Sequence, residues 1–230
     1  MGVFVLVQKD TLEVNIYEKL KKAILNRNLA PGTQLVEGTI SKKLGVSRTP
    51  IRFAFKKLEK EGLINIIPNK GAFVVNPTIE EIEEAYEMRQ ELESLCIKTA
   101  IDNFIDEDIE KLEELTRKEL ETFEKRDIDE YIKVNKAFHM AIAEKSNNRF
   151  LVEYTNDILN KTNVYLILYD IFYDVDLNDI PGYLEHKNII ELIKKKDKNK
   201  AEKAIREHIG RSYKELQVDK IVSRSLSDLF

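Results

Sequence analysis

Between residues 37 and 75, helix and strand breakers fall so close together that only short elements fit between them, and this spacing constrains the fold more than any other feature. Residues 37–44 predict a short helix closed by Gly45, whose missing side chain suits the left-handed turn after a helix. Ser47 then stands where it caps the amides of the next helix, and Pro50 sits in the first turn, where a missing N–H is harmless. Ile51, Ala54, Phe55 and Leu58 supply that helix with a buried stripe. Upstream, Ile16, Leu20, Ala23 and Ile24 recur at helical spacing over about residues 11–28, until Pro31-Gly32 breaks the pattern. Past Gly62, β-prone runs at residues 63–67 and 72–75 flank Pro68-Asn69-Lys70-Gly71, a hairpin whose turn bears a positive charge. This order of elements predicts a winged helix-turn-helix over residues 1–76.

Its third helix leaves Arg48, Thr49, Arg52 and Lys56 outside the apolar stripe, and positions 48, 52 and 56 form one cationic row. Such a row suits a major groove. Arg48 and Arg52 are the candidates for bidentate bonds to guanine, while Ser47 and Thr49 at the helix start can reach phosphate together with free backbone amides. A solvated basic face is the plainer reading of any single such helix. The charge split argues for a polyanion partner: residues 1–76 hold 13 Lys and Arg against 6 Asp and Glu, whereas the remainder holds 24 against 35.

From Pro77 onward strand patterns give way to helical ones, opening with Thr78-Ile79-Glu80-Glu81, a capping box. Helices are predicted near 79–103, 106–125, 127–145, 148–170, 182–196 and 198–217, which makes residues 77–230 an antiparallel helical bundle. The fold class is therefore mainly α, a winged helix-turn-helix followed by an all-α bundle. The stretch from about residue 173 to 182, with three Asp and a Pro, reads as a mobile loop. One cysteine, Cys96, excludes an intramolecular disulfide and a thiolate zinc cluster. With that cysteine usage, and apolar runs at 3–7 and 164–169 too short for a signal core or a membrane span, a cytoplasmic protein without membrane contact is expected.

All three histidines of the chain interrupt apolar stripes of this bundle. His139 continues Ile132, Asn135 and Ile142; His186 precedes Ile189, Ile190 and Ile193; His208 follows Ala201, Ala204 and Ile205. One buried His is usually a satisfied core residue. Three pointing inward from different helices need a common partner, because unpaired buried polar groups cost roughly 1–3 kcal/mol each. A divalent metal such as Zn or Ni is an economical one, and Asn135, one turn before His139, could add an oxygen ligand. Arg89 also points inward, aligned with Ile82, Tyr86, Glu93 and Cys96, so its charge needs an anion: either Glu93 one turn on or a ligand.

Two sets of motifs resemble known families. Residues 29–35 (Leu-Ala-Pro-Gly-Thr-Gln-Leu), 44–52 (Leu-Gly-Val-Ser-Arg-Thr-Pro-Ile-Arg), 58–63 and 68–74 resemble the DNA-binding domain of GntR-family transcription regulators. The resemblance implies that Arg48 and Arg52 contact operator bases, that Ser47 and Thr49 help on the backbone, and that the wing around Lys70 and Gly71 enters the minor groove. Gly38 stands where a fatty-acid-responsive relative has a DNA-contacting arginine, and Phe53 stands where relatives usually have Glu, so the operator sequence does not transfer. Residues 135–143 with Ser146-Asn147-Asn148, then 185–190 and 204–209, resemble the FCD ligand-binding domain of the FadR subfamily. In metal-containing members the matching positions are an Asp and three His around Zn, Ni or a similar ion, with a small carboxylate or water completing the coordination. This chain keeps His139, His186 and His208 but has Asn135 for the Asp, and a neutral amide holds a cation less strongly.

The combined expectation is a homodimeric repressor. It binds an inverted-repeat site on double-stranded DNA and responds to a small organic acid held between Arg89 and a metal on Asn135, His139, His186 and His208. Two alternatives stay open. The His-lined pocket could take its effector without metal, or three His and an open coordination position could serve a hydrolytic enzyme. Against the enzyme, no inward Glu or Asp stands out as a general base, and the basic helix would be unexplained.

Overall fold

A computed structural model describes residues 2–169, 172, 176 and 180–216. The described residues fall into two compact units, one running up to Pro77 and the other beginning at Thr78.

In the first unit, α1 (Gly2–Leu25), α2 (Glu37–Leu44) and α3 (Arg48–Lys60) pack with a small sheet of β1 (Gln34–Leu35), β2 (Ile64–Ile67) and β3 (Gly71–Val74). Gly45 ends α2 at φ 66°, the left-handed conformation that its sequence position predicts. Pro50, Ile51, Ala54, Phe55 and Leu58 form the buried face of α3, and α1 covers it with Ile16, Leu20 and Ile24. The hairpin pairs Ile64 with Val74 and Ile67 with Gly71. The sheet has a third strand that apolar patterning does not reveal: β1 pairs Gln34 with Phe73 and Leu35 with Ala72, giving the antiparallel order β1-β3-β2. Two residues are too few to display an alternation.

The second unit is built from α4 (Ile79–Ala100), a 3₁₀ turn (Ile101–Asn103), α5 (Asp106–Glu124), α6 (Ile128–Glu144), α7 (Arg149–Tyr169), α8 (Pro181–Lys194) and α9 (Lys198–Lys214). Thr78 and Glu81 form the capping box of α4, with Glu81 N donating to Thr78 Oγ1 at 3.1 Å and Thr78 N to Glu81 Oε2 at 2.8 Å. Asp127 and Asp197 cap α6 and α9 by accepting from the amides of Glu130 and Lys200. Helix α4 packs against α6, α7 and α9, α5 against α6 and α8, and α8 against α9, so α4, α5, α6, α8 and α9 surround the polar centre described below. Most of the loop expected over residues 173–182 lies outside the described residues, but Pro181 and Gly182 are the first turn of α8. Among the described residues no helix is long and apolar enough to cross a membrane.

Candidate functional site

The bundle buries a set of polar side chains that one element alone would not tolerate: Arg89 and Glu93 from α4, Glu119 from α5, Asn135 and His139 from α6, His186 from α8 and His208 from α9. The three rings converge, with one nitrogen from each within 4.8 Å of the others. Each ring is held from behind by a carboxylate. His139 Nδ1 lies 2.5 Å from Glu93 Oε2, His186 Nδ1 lies 2.7 Å from Glu119 Oε2, and His208 Nδ1 lies 2.8 Å from Glu185 Oε2. A carboxylate accepts, so these partners fix the proton on Nδ1 and leave Nε2 of each neutral ring as a lone pair directed inward. Phe138 stacks on His186 at 4.0 Å between ring centres and sets its plane.

Burial pushes the His139 imidazole down to about 4, with Glu93 opposing the fall and Arg89 adding to it. His208 falls well below its usual value, first through burial and then through the neighbouring His186. Both rings are therefore neutral at physiological pH. Glu93 stays ionised, because the Arg89 charge and the hydrogen bonds from His139 and Arg89 outweigh the burial that would raise it. Burial would also raise Glu185, but hydrogen bonds from His208 and Arg211 hold it at about 2.

This pattern creates a specific conflict: His186 Nε2 and His208 Nε2 face each other at 3.2 Å, while the Nδ1 of each ring is already held by a carboxylate. Two lone pairs so close repel unless a cation lies between them. Ligands about 2.0–2.1 Å from a tetrahedral ion are about 3.3 Å apart, close to the separation observed. His139 Nε2 is buried without a partner among the described residues. The donor set, its spacing and its carboxylate backing therefore fit a divalent ion.

Asn135 lines a cavity of about 30 Å³ with Arg89, His208, Arg211 and Glu215. Arg89 is 1% exposed; its Nε donates to Glu93 Oε1 at 2.6 Å, and Nη1 and Nη2 are buried without a hydrogen-bond partner among the described residues. The sequence reading offers Glu93 or a ligand as the partner of Arg89, and the structure shows Glu93 taking one donor and leaving the fork. Glu93 and Glu119 both point inward, each committed to an Nδ1, so neither is free for the general-base role that the enzyme alternative would need. Glu119 could have been found from its place in the stripe of Leu112, Thr116 and Phe123, and Glu185 from its position beside His186.

The cationic face of the other unit is as exposed as its spacing predicts. Ser47, Arg48, Thr49, Arg52 and Lys56 are all exposed on or at the start of α3, and Lys70 is exposed in the hairpin turn. Ser47 occupies the N-cap position but makes no side-chain cap bond, so the first-turn amides stay open at an exposed helix start. Arg48 makes no hydrogen bond or ion pair among the described residues. Arg52 does: its Nε donates to both oxygens of Glu37 at the start of α2. In the turn, Asn69 (φ 62°) and Gly71 (φ 107°) adopt positive φ, and Gln34 Nε2 donates to Lys70 O at 2.9 Å, tying β1 to the tip. A Cβ on Gly71 would stand 3.4 Å from that same Gln34 nitrogen.

Comparison with known proteins agrees with both halves. Residues 12–74 match the family of bacterial regulatory proteins designated gntR, and residues 84–211 match the FCD domain. The chain is 31% identical over 225 residues to the HTH-type transcriptional regulator YdhC of Bacillus subtilis (strain 168), covering 94% of this chain and 96% of that protein. It is 26% identical over 196 residues to the HTH-type transcriptional repressor RspR of Escherichia coli (strain K12), covering 84% of each. Among solved structures, E. coli McbR/YncC superposes with a TM-score of 0.63 at 24% identity, over 87% of this chain and 94% of that one. A structural-genomics structure titled GntR from Rhodococcus sp. RHA1 gives 0.65 at 22% identity, over 91% and 98%. These two show a shared fold.

Proposed function

From the premise that the chain belongs to the GntR family of DNA-binding transcription regulators and carries an FCD domain, we propose that it is a homodimeric repressor governed by a small carboxylate at a metal-containing pocket. Residues 1–76 would read DNA and residues 77–230 would sense the effector and dimerise. The observation that carries the metal is the facing pair of Nε2 atoms on His186 and His208, 3.2 Å apart, on rings whose Nδ1 atoms are each held by a carboxylate. His139, His186 and His208 would hold the ion through Nε2, with Asn135 beside them as an oxygen donor, and the ion would supply an open position for a carboxylate oxygen. The carboxylate class rests on Arg89, whose two free Nη groups match a carboxylate fork.

On DNA, Arg48 and Arg52 would read base edges, Ser47, Thr49 and Lys56 would hold phosphates, and the Lys70-Gly71 tip would reach the minor groove. A two-fold dimer places its recognition helices about 34 Å apart on an inverted repeat. Exposed Met88 and Leu95, seven residues apart on α4, give the bundle an apolar edge of the kind a dimer covers. The effector must bind one DNA-binding state better than the other, since equal affinity for both would move nothing. The test has two parts. Metal analysis of the purified protein should find about one divalent ion per chain, lost in His186→Ala; a metal-free wild type would favour the direct His-lined pocket instead. Sequencing of the DNA fragments that the protein retains, with and without organic acids, should then yield an inverted repeat whose retention changes with one acid.

A further inference from the structure

One buried carboxylate serves two groups of opposite charge demand. Glu93 Oε1 accepts from Arg89 Nε at 2.6 Å, and Oε2 faces His139 Nδ1 at 2.5 Å. Beyond Glu93 each partner is left incomplete among the described residues: Arg89 Nη1 and Nη2 are buried donors without an acceptor, and His139 Nε2 is a buried acceptor without a donor. A cation entering on His139 alone would sit near the Arg89 charge with a single carboxylate between them. An anion entering on Arg89 alone would sit beside Glu93. Arrival of both removes both penalties.

We infer that Glu93 couples the two ligands, so that a divalent ion at the imidazoles and a carboxylate at Arg89 load cooperatively; the inference rests on the metal reading above. The sign follows from the hydrogen bonds. An ion on Nε2 withdraws density from the His139 ring and makes Nδ1–H a stronger donor, which draws the Glu93 charge toward His139 and away from Arg89. The guanidinium is then less neutralised and attracts an external carboxylate more strongly. Linkage makes the effect reciprocal, so a carboxylate on Arg89 shields the guanidinium charge and favours the cation. Among the described residues, the lining of this cavity offers no substitute anion. Asn135 is neutral, and Glu215, the acidic residue among its lining, is paired with Arg211. A cavity of about 30 Å³ has room for about two waters, so it takes the carboxylate end of an acid rather than a whole large molecule.

The test is calorimetric titration of the metal-stripped full chain with Zn(II), in acetate and in perchlorate of equal ionic strength. Acetate should tighten Zn(II) binding about tenfold. Arg89→Gln should abolish the acetate effect and bind Zn(II) more tightly than wild type in perchlorate, because the opposing cation is gone; a merely structural Arg89 would not produce that gain. Glu93→Gln, checked for folding by circular dichroism, should still bind Zn(II) but lose the acetate dependence. Zn(II) binding by the wild type with no acetate effect would overturn the coupling and leave the metal reading intact, and an acetate effect undiminished in a folded Glu93→Gln would overturn Glu93 as the coupler. No Zn(II) binding in either salt would sink the metal reading and the coupling together.

Discussion

Arg52 and Glu37 tie the two helices of the reading head together: Nε of Arg52 donates to both carboxylate oxygens of Glu37, at 3.0 and 2.9 Å. The pair is exposed on the Arg52 side, so it adds at most about 1 kcal/mol to stability. Its effect is to hold the guanidinium through Nε, with Nη1 and Nη2 making no hydrogen bond to the carboxylate.

Removing that brace should therefore change specificity rather than stability. Glu37→Gln deletes a negative charge from the face proposed to meet phosphates, so affinity for random DNA should rise while preference for the selected operator falls severalfold. Fluorescence anisotropy on both DNAs across a salt series measures this, with thermal unfolding as the control for an unchanged Tm. Arg52→Ala should cost about 1–3 kcal/mol on the operator and relax one base position, whereas Lys56→Ala should weaken both DNAs alike and flatten the salt slope by about one.

At the proposed metal centre, the carboxylates behind the rings should matter nearly as much as the rings. Glu119→Ala removes the acceptor that orients His186 and fixes its proton, which should weaken divalent-ion affinity about 10–100-fold. Glu119→Gln keeps an oxygen acceptor at the same place and should recover much of the loss. Competition with a chelating dye gives both numbers, and equal affinity in wild type and Glu119→Ala would show that His186 does not bind the ion.

The sequence made the reading head almost fully legible, because Gly45, Pro50 and Gly71 each sit where backbone geometry leaves little choice. The histidines were legible as inward groups because their stripes have helical period. Their convergence was expected from the shared need for a partner and from the FCD resemblance, but the Glu93 and Glu119 contacts to His139 and His186 were not legible, since these bonds join residues 46 and 67 positions apart and local periodicity carries no such pairing. The pairing of Arg52 with Glu37 was not legible for the same reason: Glu37 lies 15 residues away on another helix.

Lys196 illustrates a stabilising device outside either site. It ends the turn between α8 and α9 at φ 54°, and its Nζ donates to the carbonyls of Ile101, Asp102 and Phe104 at 3.0, 3.3 and 3.1 Å. These carbonyls follow α4, where no further helical amide reaches them. Lys196→Met keeps the aliphatic stem and removes the donors, so urea unfolding should show a loss of about 1–2 kcal/mol with the m value unchanged.

The last prediction concerns Cys96, buried on α4 with its Sγ 3.4 Å from Thr155 Oγ1. Burial pushes its thiol up to about 11, with Glu93 adding to the rise and the Thr155 contact opposing it. An unfolded cysteine titrates near about 8.5, so the raised value contributes stability that is fully present below that pH and is lost as pH climbs toward 11. At pH 8 only about one folded molecule in a thousand carries the thiolate, and the sulfur is shielded as well. A disulfide reagent such as DTNB should therefore react with the native protein at the rate of unfolding, and within seconds once denaturant is added. Rapid labelling of the native chain at pH 8 would mean that α4 and α7 part around Thr155 far more readily than their packing implies.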